Sequence, residues 1–146
     1  MLNDGLIASL NDGLINCLIV NSFMVLKTQT ITVTPEMAAD RVGSGLLHVY
    51  ATPMVAALME STSILCIEDL EADETTVGVE INVQHVKATA IGEQVTCTAC
   101  LKEQDERSYH FILRVENARG EEIAEGTHVR VRVNKERFMS KLNGAS

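Results

Sequence analysis

The sequence predicts an α+β domain in which an antiparallel sheet wraps one long helix. Three observations carry that reading. The stretch Thr52-Pro53-Met54-Val55-Ala56-Ala57-Leu58-Met59-Glu60 opens with helix-start residues and is then apolar nearly all round. Four strand-like runs follow it, joined by short turn-forming stretches. No second helix of comparable character appears. A helix that is apolar on most faces has to be buried, and successive strands joined by short turns pair antiparallel. The sheet must therefore supply the cover.

Composition narrows the possibilities. A chain of 146 residues fits one domain and is long enough to bury a core. Hydrophobic residues make up 46%, but aromatics only 3%, and Trp is absent. The core is expected to be aliphatic. A net charge of -8 argues against general nucleic-acid binding. It also obliges any phosphate-bearing ligand to find a local basic patch.

Residues 1–26 are expected to form an extension of unknown role. Leu2-Asn3-Asp4-Gly5-Leu6-Ile7 recurs as Leu10-Asn11-Asp12-Gly13-Leu14-Ile15. Leucines four apart suit a helix face, although Gly5 and Gly13 oppose it. The apolar run from Leu14 to Leu26 is too short to span a bilayer. The first basic residue, Lys27, follows that run, the reverse of a secretory signal. We expect no membrane partner and a cytoplasmic protein. The domain proper is expected over 27–140, with a short tail at 141–146.

Lys27 to Val33 is β-branched and reads as a strand. Thr34-Pro35-Glu36 opens a short irregular piece. Arg41-Val42-Gly43-Ser44-Gly45-Leu46-Leu47 carries two glycines and reads as a mobile connector. The long helix follows, with Thr52 as N-cap and Pro53 at the first helical position, ending near Cys66 or Ile67. Glu68 to Glu74 is an acidic loop, expected to be solvated. In the next strand, Val77, Val79, Ile81, Val83 and His85 alternate onto one face. Val95, Cys97, Ala99 and Leu101 alternate in the following one, and Tyr109, Phe111, Leu113 and Val115 in the third. The last strand runs from Ile123 through Val129, Val131 and Val133, with Arg130 and Arg132 expected on the opposite face. Strand, helix, then four strands in short-turn succession is the hotdog plan. Hotdog domains usually dimerise because their sheet edges pair, so a homodimer or a dimer of dimers is expected.

Cys97-Thr98-Ala99-Cys100 spells a C-x-x-C. In a strand, residues three apart point to opposite faces, so the pair cannot share a metal there. We expect no metal site and four buried reduced thiols, counting Cys17 and Cys66.

The candidate chemical residues are weak one at a time. His85 alone is more often a satisfied core histidine, Glu60 a helix-surface charge, Thr52 a cap, and Gly78 a bulge glycine. Their joint order is informative. Val49-Tyr50-Ala51-Thr52 with Leu58-Met59-Glu60, then Thr76-Val77-Gly78, Val83-Gln84-His85 with Ala88-Thr89, Gly126-Thr127-His128-Val129-Arg130 and Arg137-Phe138 resemble the fluoroacetyl-CoA thioesterase family of hotdog proteins. The resemblance covers roughly residues 28 to 138. It implies hydrolysis of an acyl-CoA thioester, with coenzyme A present only as part of the substrate and no other cofactor. It also implies that Thr52, Glu60 and His85 are catalytic, that Gly78 lies near the substrate carbonyl, and that Arg130 contacts substrate. Leu46 and Tyr50 fall where the family closes its pocket. A non-catalytic acyl-CoA-binding module, or a hydratase or dehydratase on the same fold, remains the alternative.

Thioester hydrolysis suits these residue types. A threonine hydroxyl is a weak nucleophile without a nearby base, and a histidine is well matched to neutral pH. Backbone N–H groups at a helix start can stabilise an oxyanion. One geometric difficulty is already visible. On a regular helix, Thr52 and Glu60 lie ~12 Å apart along the axis and ~80° apart around it. They cooperate only if two chains meet, or if the helix begins well after Thr52.

Overall fold

A computed structural model describes residues 25–144. The element order is β1 (Leu26–Thr32), a 3-10 turn (Pro35–Met37), α1 (Ala39–Val42), α2 (Thr52–Ile64), β2 (Glu74–His85), β3 (Gln94–Gln104), β4 (Ser108–Asn117), β5 (Glu122–Asn134) and α3 (Lys135–Leu142). The five strands form one antiparallel sheet in the order β1-β3-β4-β5-β2, which leaves β2 as an edge. The expected arm at 1–26 lies outside the described residues apart from its last two positions. The last helix crosses the boundary placed at residue 140.

The core is aliphatic for the most part, but three of the chain's five aromatics, Tyr50, Tyr109 and Phe111, are buried in it, more than the aliphatic expectation allowed. Val55, Leu58 and Met59 of α2 pack on Val95, Cys97, Ala99 and Leu101 of β3 and on Tyr109, Phe111, Leu113 and Val115 of β4. Those two strands alternate as the sequence indicates. The helix is less enclosed than its composition suggests. Thr52, Pro53, Ala57, Ser61 and Ile64 are exposed along one side. Its N-cap is Ala51, and Thr52 is the first helical residue, so the Thr52 hydroxyl does no capping.

Two strand faces differ from expectation. The pairing of β2 with β5 shifts between Gly78 and Glu80, which inserts Val79 as an extra residue. Such a bulge moves one half of the strand to the other face. Thr76 and Gly78 therefore share the inner face with Ile81, Val83 and His85, while Val77 and Val79 turn outward. In β5, His128 stands opposite Phe111 and Arg130 opposite Tyr109. Both therefore face the core, and Val129, Val131 and Val133 face out. The three valines mislead because an apolar series reads as core. Val131 and Val133 line an outer groove of about 660 Å³ with Val77, Val79 and Phe138. The arginines are tolerated inside because acceptors await them.

Two smaller readings change. The acidic loop is anchored, since Asp69 accepts from Tyr109 Oη (2.7 Å), Arg132 Nη2 (2.7 Å) and Gln104 Nε2 (3.0 Å). Cys66 and Cys97 are free and buried, but Cys100 is disulfide-bonded, so the thiols are not all reduced. Among the described residues no helix is long and apolar enough to cross a membrane.

Candidate active site

Thr52 and His85 meet where α2 begins and β2 ends. Thr52 Oγ1 lies 2.7 Å from His85 Nδ1. Tyr50 supports the imidazole edge-on, with ring centroids 6.5 Å apart and planes at 75°. The Tyr50 hydroxyl donates to the Met54 carbonyl at 3.3 Å, and the residue is buried. A cavity of about 260 Å³ opens here, lined by Thr52, His85, Tyr50, Ser44, Val49 and Lys87, among others. The N–H of Thr52 belongs to the first turn of α2, where backbone donors have no intrahelical acceptor and the helix dipole favours negative charge.

His85 is half-buried. Burial pushes its pKa below the ordinary 6.5, opposed by the backbone at Lys87. Its Nε2 is buried without a hydrogen-bond partner among the described residues. The ring is thus neutral at pH 7, with one nitrogen committed to Thr52 and the other unsatisfied.

A second cluster lies further along α2 and β2. A Cβ built on Gly78 would meet His128 Cε1 at 3.1 Å, Glu60 Oε1 at 3.3 Å and Arg130 Nη1 at 3.4 Å. Three polar groups thus converge on the space that the missing side chain leaves. Arg130 is buried and donates from Nε to Thr76 Oγ1 (2.8 Å), from Nη2 to the Thr76 carbonyl (3.0 Å), and from Nη1 to His128 Nε2 (3.1 Å). No carboxylate among the described residues lies within 4.0 Å of its guanidinium nitrogens.

The structure therefore brings Thr52 together with His85, and Glu60 together with Gly78 and Arg130, as two groups. Leu46 belongs to neither, being 96% exposed. The connector that carries it is pinned at its base. Ala39 N–H donates to Val49 O (2.8 Å), Asp40 N–H to Leu47 O (3.2 Å), and His48 Nδ1 lies 2.8 Å from Asp40 Oδ1. These bonds tie the base of the connector expected to be mobile and leave Leu46 at its exposed tip. Sequence reasoning passed over Thr76 and His128. Their signal was positional: Thr76 precedes Gly78 by two residues, and His128 precedes Arg130 by two, which puts each pair on one strand face.

The family model described as fluoroacetyl-CoA-specific thioesterase matches residues 33–136. The chain belongs to the fluoroacetyl-CoA-specific thioesterase family. The fluoroacetyl-CoA thioesterase of Streptantibioticus cattleyicolor is 35% identical over 97 residues, 65% of this chain and 68% of that protein. A crystal structure of the fluoroacetyl-CoA thioesterase superposes with a TM-score of 0.78 at 26% identity, covering 84% of this chain and 95% of that one. A hot-dog-like protein from Thermanaerovibrio acidaminovorans, 16% identical, shares the fold with a TM-score of 0.73 over 81% of this chain and 87% of its own.

Proposed function

We propose that this family member is an acyl-CoA thioesterase whose active site is completed by a second copy of the chain. The observation that carries the chemistry is the 2.7 Å contact between Thr52 Oγ1 and His85 Nδ1 on the wall of the cavity. Neutral His85 takes the Thr52 proton as the hydroxyl oxygen attacks the thioester carbonyl carbon. Pro53 has no N–H and the Met54 and Val55 N–H groups donate to the Ala51 carbonyl, so the Thr52 N–H is the first-turn donor left for the developing oxyanion. As the tetrahedral intermediate collapses, the carbon–sulfur bond breaks and the sulfur leaves with the proton from His85. Water then attacks the acyl-threonine ester, giving up a proton to His85, which passes it to the departing Thr52 oxygen. The free acid then departs. Every proton transfer is assigned to a side chain, so the scheme uses no metal or cofactor.

Glu60 has a place in this scheme only across a subunit boundary. Its carboxylate sits beside Gly78, seven residues from His85 along β2. Antiparallel pairing of the two β2 edges about a point between those residues would set His85 of one chain opposite Gly78 and Glu60 of the other. The exposed side of α2 and the open β2 edge both support that arrangement. We read the assembly as a homodimer or a pair of homodimers. Gly78 and Arg130 then border the acyl end of the substrate, and Tyr50 backs the histidine. Leu46 would join them only when the connector tip folds inward. Residues 27–140 are taken as the catalytic unit. Coenzyme A thioesters are cytoplasmic metabolites, and we place the protein with them.

The test is thiol release from a panel of acyl-CoAs, with the acid product measured in parallel. One thiol per acid is expected from the wild type, and none above background from Thr52→Ala. Binding without release would establish a non-catalytic module. A change in the acyl chain without release would establish a hydratase.

A further inference from the structure

His128 is the one buried titratable group beside the site that the scheme above leaves without a role. It is 1% exposed. Its ring stacks on Phe111, centroids 6.0 Å apart and planes at 28°. Its Nδ1 lies 2.7 Å from the Glu80 carbonyl. A carbonyl only accepts, so Nδ1 carries the proton. Its Nε2 lies 3.1 Å from Arg130 Nη1. A guanidinium only donates, so Nε2 presents a lone pair. The two partners together specify one neutral tautomer and leave no freedom in ring orientation.

The Glu80 carbonyl lies at the β2 bulge, so the bulge that follows Gly78 also orients the histidine. Arg130 is held at three points: two at Thr76 and one at His128. The His128 bond is the one that restrains Nη1, the nitrogen 3.4 Å from the space over Gly78. The charged groups facing the ring are Arg130 from β5 and Glu60 from α2. A protonated ring would turn a donor and a second positive charge toward Arg130.

We propose that His128 is a positioning residue, which aims Arg130 Nη1 into the gap over Gly78 by accepting its hydrogen bond while staying neutral between it and the Glu80 carbonyl. This rests on the thioesterase reading, so the test separates the two. His128→Asn keeps an amide N–H within reach of the Glu80 carbonyl but offers Arg130 no acceptor. His128→Gln places an amide oxygen near the Nε2 position. We expect His128→Asn to lower kcat/KM for acyl-CoA hydrolysis by about 10- to 100-fold, the scale of a misplaced group in an oriented site. His128→Gln should recover most of the loss. Both should be assayed well below their melting temperatures. Equal activity of the two variants, or wild-type activity in His128→Asn, would overturn the proposal.

A second readout does not depend on catalysis. Nitrogen-15 NMR of the wild type at pH 7 should show His128 as the neutral Nδ1–H tautomer. An Nε2–H tautomer or an imidazolium would overturn the proposal even in an active enzyme. Wild-type protein with this tautomer but no thiol release would sink the thioesterase reading and, with it, the positioning role.

Discussion

Replacing His85 with Ala separates a catalytic histidine from a core histidine. The imidazole touches Thr52 Oγ1 at 2.7 Å and is half-buried. A positioned general base contributes about 10²- to 10⁴-fold to turnover, or about 2.7 to 5.5 kcal/mol at ~1.36 kcal/mol per decade. The stability cost is much smaller. The lost hydrogen bond is worth about 0.5–1.5 kcal/mol. The Thr52 hydroxyl is solvent-accessible and is not orphaned by the change, and deleting the ring also removes the unsatisfied Nε2. The melting temperature should fall by no more than about 6 °C for a domain of this size. The assay is thiol release under saturating acyl-CoA alongside thermal denaturation. Turnover reduced at least 100-fold in a folded protein is expected. Turnover within a few-fold of wild type, together with a large loss of melting temperature, would refute the role and return His85 to the core.

Three further outcomes are expected. A Cβ on Gly126 would lie 2.0 Å from the Asn82 carbonyl oxygen, a backbone atom that cannot swing away. Gly126→Ala should therefore cost about 3 kcal/mol, the upper end of ordinary overpacking; an unchanged urea midpoint would show that β2 and β5 yield. Burial depresses both His85 and His128 below 6.5. Below that value the unfolded chain binds more protons than the folded one, so stability rises with pH there. It should be fully present above pH 6.5 and decline as pH falls toward the folded values, ahead of the carboxylates that titrate from 4.5 downward; a flat melting temperature between pH 7 and 5 would contradict this. The connector before Thr52 has Gly43 and Leu46 where the family places closing aromatics, and Leu46 is exposed. A loose apolar closure separates close analogues by only ~1–3 kcal/mol. The kcat/KM values for fluoroacetyl- and acetyl-CoA should therefore agree within about 200-fold, and a ratio above ~1000 would exceed what such a pocket allows.

Much of the architecture was legible in the sequence, because β3 and β4 alternate cleanly and α2 has a clear start. The errors share a cause. Parity in β2 fails at one inserted residue, Val79, and nothing in an alternating valine series marks where the extra residue enters. Parity in β5 fails because Arg130 and His128 are buried by partners on β2, namely Thr76 and the Glu80 carbonyl, and those partners lie roughly fifty residues away in sequence. The pairing of Thr52 with His85 was likewise invisible to periodicity, since it joins the first residue of a helix to the last of a strand. Residue identity and order pointed to one set of groups. They could not divide that set into two clusters, which follows from the rise of a straight helix from Thr52 to Glu60.

The most direct test of the composite site is subunit complementation. Thr52→Ala and Glu60→Gln chains are inactivated singly, co-refolded in equal amounts, and assayed for thiol release. If Thr52 and His85 of one chain work with Glu60 of the other, each mixed dimer has one site with both lesions and one with none. Half of the dimers are mixed, so about a quarter of wild-type activity should return. No recovery from a verified mixed dimer, in which every site then carries a lesion, would contradict the account.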